Sequence, residues 1–109
     1  MATITWGLLA SARPSSTDEV ALLTAGADEE YRGYVRVCNQ DSSTRTYRLA
    51  HCAATGAASG DEWIAYDREI DANTTEEWSI TLGNNEEIRI KPSVIDKISF
   101  VYEGEKKVG

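Results

Sequence analysis

The stretch "EWIAYDREIDANTTEEWSITLG", residues 62–83, decides the fold. Apolar side chains recur at every second position in two short runs, Ile64 and Tyr66 and then Trp78, Ile80 and Leu82. A polar break over residues 71–75 separates the runs. Period-two alternation is typical of a half-buried β-strand, and Asp, Asn and Thr favour turns. This stretch therefore predicts two β-strands joined by a turn.

The same alternation extends through most of the chain. Further runs are "TITWGLL", "VALLTAG", "EEYRGYVRVCNQ", "RTYRLAHCA", "EIRIKP" and "DKISFVYEGE". They make about eight short strands at roughly 10-residue spacing, with no amphipathic helix between them. A chain of 109 residues forms one domain. We predict an all-β fold, a single small antiparallel β-sandwich of the Ig-like or jelly-roll-like kind.

Composition excludes two classes of partner. The net charge is −7 and the pI is near 4.6, whereas nucleic-acid binding needs clustered Lys and Arg. No apolar run reaches the ~18 residues of a membrane helix, and the start of the chain lacks the basic region of a signal peptide. We expect neither a nucleic-acid partner nor a membrane partner.

Candidate catalytic and metal-binding groups are sparse. His51 is the single histidine, and no nucleophile motif accompanies it, so we predict a structural imidazole and no catalytic residue. The paired acids lack the spacing of a calcium loop and stand at strand starts, where charges oppose edge-to-edge aggregation. These acids are Asp28-Glu29-Glu30, Asp61-Glu62, Glu76-Glu77 and Glu86-Glu87. We expect no metal and no cofactor.

Two cysteines, Cys38 and Cys52, lie 14 residues apart without a CxxC motif. If strands 31–39 and 45–53 form a hairpin, the two sulfurs lie several residue pairs apart, beyond the reach of a disulfide. We expect free thiols, with a bond to another subunit or between sheets as the alternative.

Aromatic and apolar side chains supply the interface candidates. Trp6 and Trp78 fall on apolar faces, where we expect core packing. Trp63 and Tyr34 fall on the opposite faces of their strands and are candidates for a protein–protein contact, since aromatics concentrate at interface centres. Ile4, Trp6 and Leu8 are candidates too, because the first strand could pair with the sheet edge of a neighbouring copy.

Five short motifs, in order along the chain, resemble a family of small β-sandwich structural proteins of tailed bacteriophages. They are Val37-Cys38-Asn39, Tyr47-Arg48-Leu49-Ala50, Ile64-Ala65-Tyr66-Asp67, Ala72-Asn73-Thr74-Thr75 and Ser99-Phe100. Residues 83–87 depart from the family, since Asn and Glu replace an apolar segment. The resemblance assigns residues 20–104 to the sandwich domain, leaving an N-terminal strand or arm over residues 1–19 and a C-terminal tail over residues 105–109.

The resemblance implies a non-enzymatic virion component, assembled in the host cytoplasm. It would be a capsid decoration or cement protein, or a small subunit of the neck, tail or baseplate. The implied partners are other copies of the chain, as a trimer or a larger ring or lattice, and phage capsid or tail proteins. The alternative is a carbohydrate- or host-receptor-binding module of a phage tail or fibre, using aromatic residues on one sheet face.

Overall fold

The computed structural model describes residues 2–109, which fold into eight β-strands. In chain order the strands are β1 (Thr3–Ala12), β2 (Val20–Thr24), β3 (Glu29–Asn39), β4 (Arg45–Ala53), β5 (Trp63–Ile70), β6 (Thr75–Leu82), β7 (Glu86–Pro92) and β8 (Ile98–Val108). They form two four-stranded sheets, sheet A in the order β1-β8-β3-β6 and sheet B in the order β2-β7-β4-β5. Neighbouring strands are antiparallel. The predicted antiparallel β-sandwich is confirmed.

The core lies between the sheets and consists of the inward-facing residues of both. Its largest fully buried side chains include Val35, Val37, Phe100 and Tyr102 from sheet A and Tyr47, Leu49, Ile88 and Ile90 from sheet B. The rings of Tyr47 and Phe100 meet edge to face across the sheets, with centroids 6.1 Å apart. Burial of each such side chain stabilises the fold by about 1.5–3 kcal/mol.

Residues 62–83 fold into β5 and β6, and the turn between these strands connects the edge of sheet B to the edge of sheet A. In β6 the prediction of inward-facing residues is correct, because Ile80 and Leu82 are buried. In β5 it is wrong, since Ile64 and Tyr66 are exposed and Ala65 is buried. The register of β5 against β4 shifts twice, and each β-bulge reverses the side to which the following residues point.

Trp78 packs against the core from β6 while remaining partly exposed. Its Nε1–H donates to the hydroxyl of Tyr47 over 2.8 Å, and that hydroxyl donates to Glu76 Oε1 over 2.6 Å. Burial and the nearby carboxylate raise the pKa of Tyr47. These hydrogen bonds join the two sheets near their edge strands β5 and β6. Arg68 of β5 also contacts Glu76 of β6 there.

The connection from β3 to β4 crosses between the two sheets. The hairpin considered for these strands does not form, because β3 pairs with β6 and β8 while β4 pairs with β5 and β7. The buried side chain of Asn39 donates to the backbone carbonyls of Ser43 and Ile70, which ties the crossing to the end of β5. Cys38 and Cys52 thus lie in different sheets, and both are free thiols.

The two terminal segments take part in sheet A. The strand within residues 1–19 pairs with β8 of its own chain, from Thr3 opposite Val108 to Ala12 opposite Phe100; Met1 lies outside the described residues. Strand β8 runs to Val108 and so includes most of residues 105–109, which the sequence assigned to a tail. Residues 3–12 and 105–108 are therefore paired within sheet A.

Three glycines lie side by side across sheet A. Gly7 of β1 is opposite Gly104 of β8, which is opposite Gly33 of β3. Gly104 has a φ of 151°, in a region that side chains other than hydrogen rarely allow. A Cβ on Gly33 would lie 2.0 Å from the backbone oxygen of Glu103. Strands β3 and β8 therefore approach at a distance that only glycine permits.

Candidate interaction surface

The first half of β1 is exposed on both faces. Ile4, Trp6 and Leu8 point to the outer face of sheet A and are 52%, 72% and 67% exposed. Thr3, Thr5 and Gly7 point to the other face and are exposed too, whereas Leu9, Ala10 and Ala12 pack against the core. The expectation that Trp6 packs in the core is wrong, because Trp6 lies on the outer face of sheet A, away from sheet B.

Tyr34 lies on the same outer face as the apolar residues of β1. In the antiparallel ladders Leu8 is opposite Glu103, and Glu103 is opposite Tyr34. Directly opposed residues point to the same side of a sheet, and Tyr34 is half-exposed. The structure thus brings together four of the five predicted interface residues, Ile4, Trp6, Leu8 and Tyr34. We call these four residues the β1 surface.

Charged side chains lie between and beside the residues of the β1 surface. Strand β8 places Glu103, Glu105 and Lys107 on this face, opposite Leu8, Trp6 and Ile4. Glu103 forms an ion pair with Arg36 of β3. An exposed apolar patch bordered by charges is typical of a protein–protein contact, with the apolar part as its centre and the charges as its rim.

Trp63, the fifth predicted interface residue, lies on the other sheet. Its ring is 5.9 Å from that of Tyr66, nearly perpendicular to it. The Arg48 guanidinium carbon lies 3.9 Å from the centre of the Tyr66 ring, a cation–π distance. Arg48 also binds both carboxylate oxygens of Asp67, at 2.8 and 3.2 Å. We call these four residues, Arg48, Trp63, Tyr66 and Asp67, the sheet B cluster.

The hydrogen bonds between Arg48 and Asp67 shift the pKa of both groups. They lower the pKa of Asp67 and raise that of Arg48, so the pair keeps its charges. Asp67 has a φ of 51°, which marks the bulge that turns Tyr66 outward. The sequence signal for this bulge is the run Asp67-Arg68-Glu69, three consecutive charges that interrupt the alternation of β5.

Three of the nine paired acids accept hydrogen bonds within turns. Carboxylates of Glu29, Glu86 and Glu62 accept backbone N–H groups three residues earlier, from Gly26, Gly83 and Ser59, over 2.7–2.8 Å. These backbone hydrogen bonds are the main reason that the pKa values of the three glutamates are lowered. The acids were predicted to oppose pairing at strand edges, but these three glutamates close four-residue turns instead. Glu76 and Glu77 do lie on an edge strand, β6.

His51 has a structural contact. Its Nε2 lies 2.8 Å from Glu86 Oε1, and the side chain is about one-third exposed. Within residues 2–109 no group of three or more His, Cys, Asp or Glu side chains is arranged to hold a metal ion. The same residues contain no helix of the length and apolarity needed to cross a membrane.

Comparisons with known proteins relate the chain to viral coat proteins through its fold. No protein-family model matches it, and no curated protein matches it. A structure of the tobacco streak virus coat protein is similar with a TM-score of 0.55 and 8% identity, covering 97% of this chain and 86% of that one. A structure of the dimer of that coat protein gives 0.53 and 8%, covering 96% and 85%.

The T13 particle of infectious bursal disease virus contains a similar chain as well. The TM-score is 0.51 and the identity 10%, with 98% of this chain covered. This chain spans only 30% of the length of that viral protein. At these identities the likeness concerns the fold: the chain shares a β-sandwich architecture with viral coat proteins.

Proposed function

We propose that this protein is a non-enzymatic structural subunit of a virion. The observation that carries the proposal is the β1 surface, an exposed apolar stripe on a sandwich whose fold also occurs in viral coat proteins. A rigid sandwich with an apolar outer stripe is suited to holding neighbouring subunits, because burial of Trp6 and its neighbours would remove apolar surface from water. The chain would act by binding and not by chemistry.

Within a virion, the sequence motifs favour a tailed bacteriophage. There the chain would be a capsid decoration or cement subunit, or a small neck, tail or baseplate subunit. Its partners would be capsid or tail proteins and further copies of itself, with a trimer as one closed arrangement. Repetition on a symmetric particle raises the effective concentration of each contact, so individually weak contacts suffice.

Replacing Trp6 and Leu8 with serine is expected to remove the chain from particles. Buried aromatic anchors commonly contribute 2 kcal/mol or more to binding, and about 1.4 kcal/mol corresponds to tenfold in affinity. We expect at least a tenfold loss of copies per particle. The measurement is quantitative mass spectrometry of particles purified from a gene-deleted phage that is complemented with either variant or wild-type protein.

Tyr66→Ser is the matched control, because Tyr66 is 59% exposed but lies on the outer face of sheet B. This variant should enter particles at the wild-type level. Circular dichroism of both variants should match that of the wild type, since all three side chains are exposed. If the wild-type chain is absent from purified particles, the proposed virion role is wrong.

A carbohydrate- or host-receptor-binding module is the second candidate, and the sheet B cluster is the observation in its favour. Exposed rings beside charged hydrogen-bonding groups are suited to a sugar, which needs both stacking and polar contacts. A small depression of about 40 Å³ adjoins the cluster and is lined by Arg48 and Asp67 together with Thr46 and Lys91. Two features of the cluster argue against sugar binding. The rings of Trp63 and Tyr66 meet edge to face, and Arg48 already covers one face of Tyr66.

Glycan-array binding separates the two candidates. If the sheet B cluster holds a sugar, the wild-type protein binds at least one glycan, and Tyr66→Ala weakens that binding at least about tenfold, the equivalent of 1.4 kcal/mol. Tyr34→Ala, on the other sheet, should leave the binding unchanged. The absence of any bound glycan would leave the virion subunit as the function.

A further inference from the structure

The four edge strands of the described sandwich differ in how they are protected against pairing with another chain. Natural edges are protected by shortness, charges, proline or bulges. Strand β6 carries Glu76 and Glu77, β5 carries two register shifts and the run Asp67-Arg68-Glu69, and β2 has only five residues and a register shift. Each of these three edges opposes an added strand.

Strand β1 is the exception among the four. It has ten residues, "TITWGLLASA", with neither a charged residue nor proline. Its register shift lies between Leu8 and Ala10, so residues 3–8 form a regular ladder with residues 103–108. As an edge strand, this segment has backbone N–H and C=O groups that face outward without a strand to receive them. It is rich in threonine, isoleucine and tryptophan, residues that favour strands.

We propose that β1 pairs antiparallel with β1 of a second copy of this chain, about a two-fold axis perpendicular to the sheet. The two A sheets then form one continuous eight-stranded sheet. This inference rests on the proposed function, since it names the partner and the geometry of self-association. A two-fold interface is the commonest arrangement in homo-oligomers, and it uses the same segment of both copies.

Electrostatics favour a second copy at β1 over one at the opposite edge of sheet A. Two chains of net charge −7 repel each other, so they approach best where charges are distant. Across a β1–β1 pair, Glu105 and its mate on the two β8 strands are separated by three strand spacings, about 14 Å, which exceeds the screening length of about 8 Å at physiological salt. Pairing through β6 would instead place Glu76 and Glu77 within the contact.

The two-fold axis also determines which side chains meet. Rotation about an axis perpendicular to the sheet keeps the same face outward in both copies, so opposed residues have the same parity and their numbers add up to an even total. Ile4, Trp6 and Leu8 of the two copies therefore join on one face, while Thr3, Thr5 and Gly7 join on the other. Each cross-strand pair of this kind contributes about 0.2–1 kcal/mol.

Because the numbers of two opposed residues add up to an even total, one residue of β1 lies on the axis. This residue is opposite the same residue of the second copy. Its two Cβ atoms are about 4.5–5.5 Å apart, close to the spacing of a disulfide. For the adjacent residue, the two copies form a diagonal pair about 7–8 Å apart, beyond the spacing of a disulfide. For the residue after that, the Cβ atoms are four residues apart along the strand, about 13 Å. A disulfide between identical positions is therefore possible at the axis alone.

The test is a cysteine scan of residues 3–8, one position at a time, in the full chain with Cys38→Ser. Cys52 stays in place, because it is buried and burial raises the pKa of its thiol to about 11. After mild oxidation, non-reducing electrophoresis should show a disulfide-linked dimer for the cysteine at one position. The amount of dimer for that variant should be at least tenfold greater than for any other variant. Equal cross-linking at all six positions, or at none, would overturn the proposed pairing.

Light scattering over a dilution series provides the second measurement. Wild-type protein is expected to be dimeric at high concentration, and Thr5→Lys should raise the dissociation constant at least tenfold by placing two ammonium groups near the axis. Thr81→Lys, on the outer face of the β6 edge, should have no effect. A wild-type monomer at every concentration, or dissociation caused by Thr81→Lys instead, contradicts the β1–β1 pair.

Failure of this pairing and failure of the virion role can be told apart. Incorporation of Thr5→Lys into particles is measured separately by the mass-spectrometric assay above. A chain that enters particles but gives no axis-specific disulfide retains the virion role and loses the two-fold pair. A chain that gives the disulfide but is absent from particles retains the pair and loses the virion role.

Discussion

Gly33→Ala is expected to lower the free energy of unfolding by about 3 kcal/mol or more. The added Cβ would lie 2.0 Å from the backbone oxygen of Glu103 and 2.9 Å from the Cα of Gly104. Both neighbours are backbone atoms of the central strand β8, so no side-chain rotation relieves the clash. The two central strands of sheet A would have to separate, and their ladder would be lost at this point.

Urea unfolding followed by circular dichroism measures this effect. Gly104→Ala should cost at least as much, because its Cβ would lie 2.1 Å from the backbone oxygen of Arg32 and its φ of 151° is strained for alanine. Gly60→Ala is the matched control, since nothing lies within 4 Å of the added Cβ, and it should change stability by less than about 0.5 kcal/mol. Equal stability of the Gly33 and Gly60 variants would show that β3 and β8 do not approach as closely as described.

The same glycines connect the fold to the β1 surface. Gly7 lies in the same row across the sheet and belongs to β1, between Trp6 and Leu8. Residues 3–8 are attached to the domain through their ladder with β8, and β8 is positioned by its close approach to β3. A larger residue at position 33 would therefore displace the strand that presents the apolar stripe, although it lies two strands away.

The strands could be predicted from the sequence because alternation follows directly from which side chains are buried. In β3, for example, Val35 and Val37 are buried while Tyr34 is half-exposed on the opposite face. The pattern failed for Trp6, since alternation states which residues share a face but not whether a second sheet covers it. It failed also in β5, where bulges reverse the faces within one strand.

The pairing of the strands could not be read from local pattern. A short polar connection such as residues 40–44 can close a hairpin or cross to the other sheet, and here the buried Asn39 side chain selects the crossing. The β1 surface also depends on strand pairing that local pattern does not reveal. Tyr34 comes near Leu8 only because β8 lies between β1 and β3 in the sheet, although β8 follows Tyr34 by about 70 residues in the sequence. Individual members could be predicted, but their common face could not.

Arg89→Met is the other substitution with a large expected effect, because Arg89 neutralises two carboxylates under the surface of sheet B. Its Nη1 lies 2.9 Å from Glu87 Oε1, and its Nε contacts Glu19. Only 16% of the Arg89 side chain and 7% of the Glu87 side chain is exposed. Glu19 also accepts the backbone N–H of Ala58, so this group of charges holds the loop between β4 and β5 against the sheet.

We expect Arg89→Met to lower the free energy of unfolding by about 3–5 kcal/mol, the usual cost of removing one partner of a buried ion pair. Methionine fills much of the volume but leaves the carboxylate of Glu87 buried with the Thr24 hydroxyl as its remaining donor. Arg36→Met is the matched control, because Arg36 pairs with Glu103 at the surface of the other sheet. An exposed pair of this kind contributes about 1 kcal/mol or less.

A double variant identifies the cause of the Arg89→Met deficit. Without the guanidinium, the carboxylate of Glu87 stays buried without a compensating charge, so adding Glu87→Gln to the variant should recover part of the lost stability. Urea unfolding of the single and the double variant measures this recovery. A deficit that Glu87→Gln does not reduce would mean that Arg89 stabilises sheet B through packing of its side chain and not through its charge.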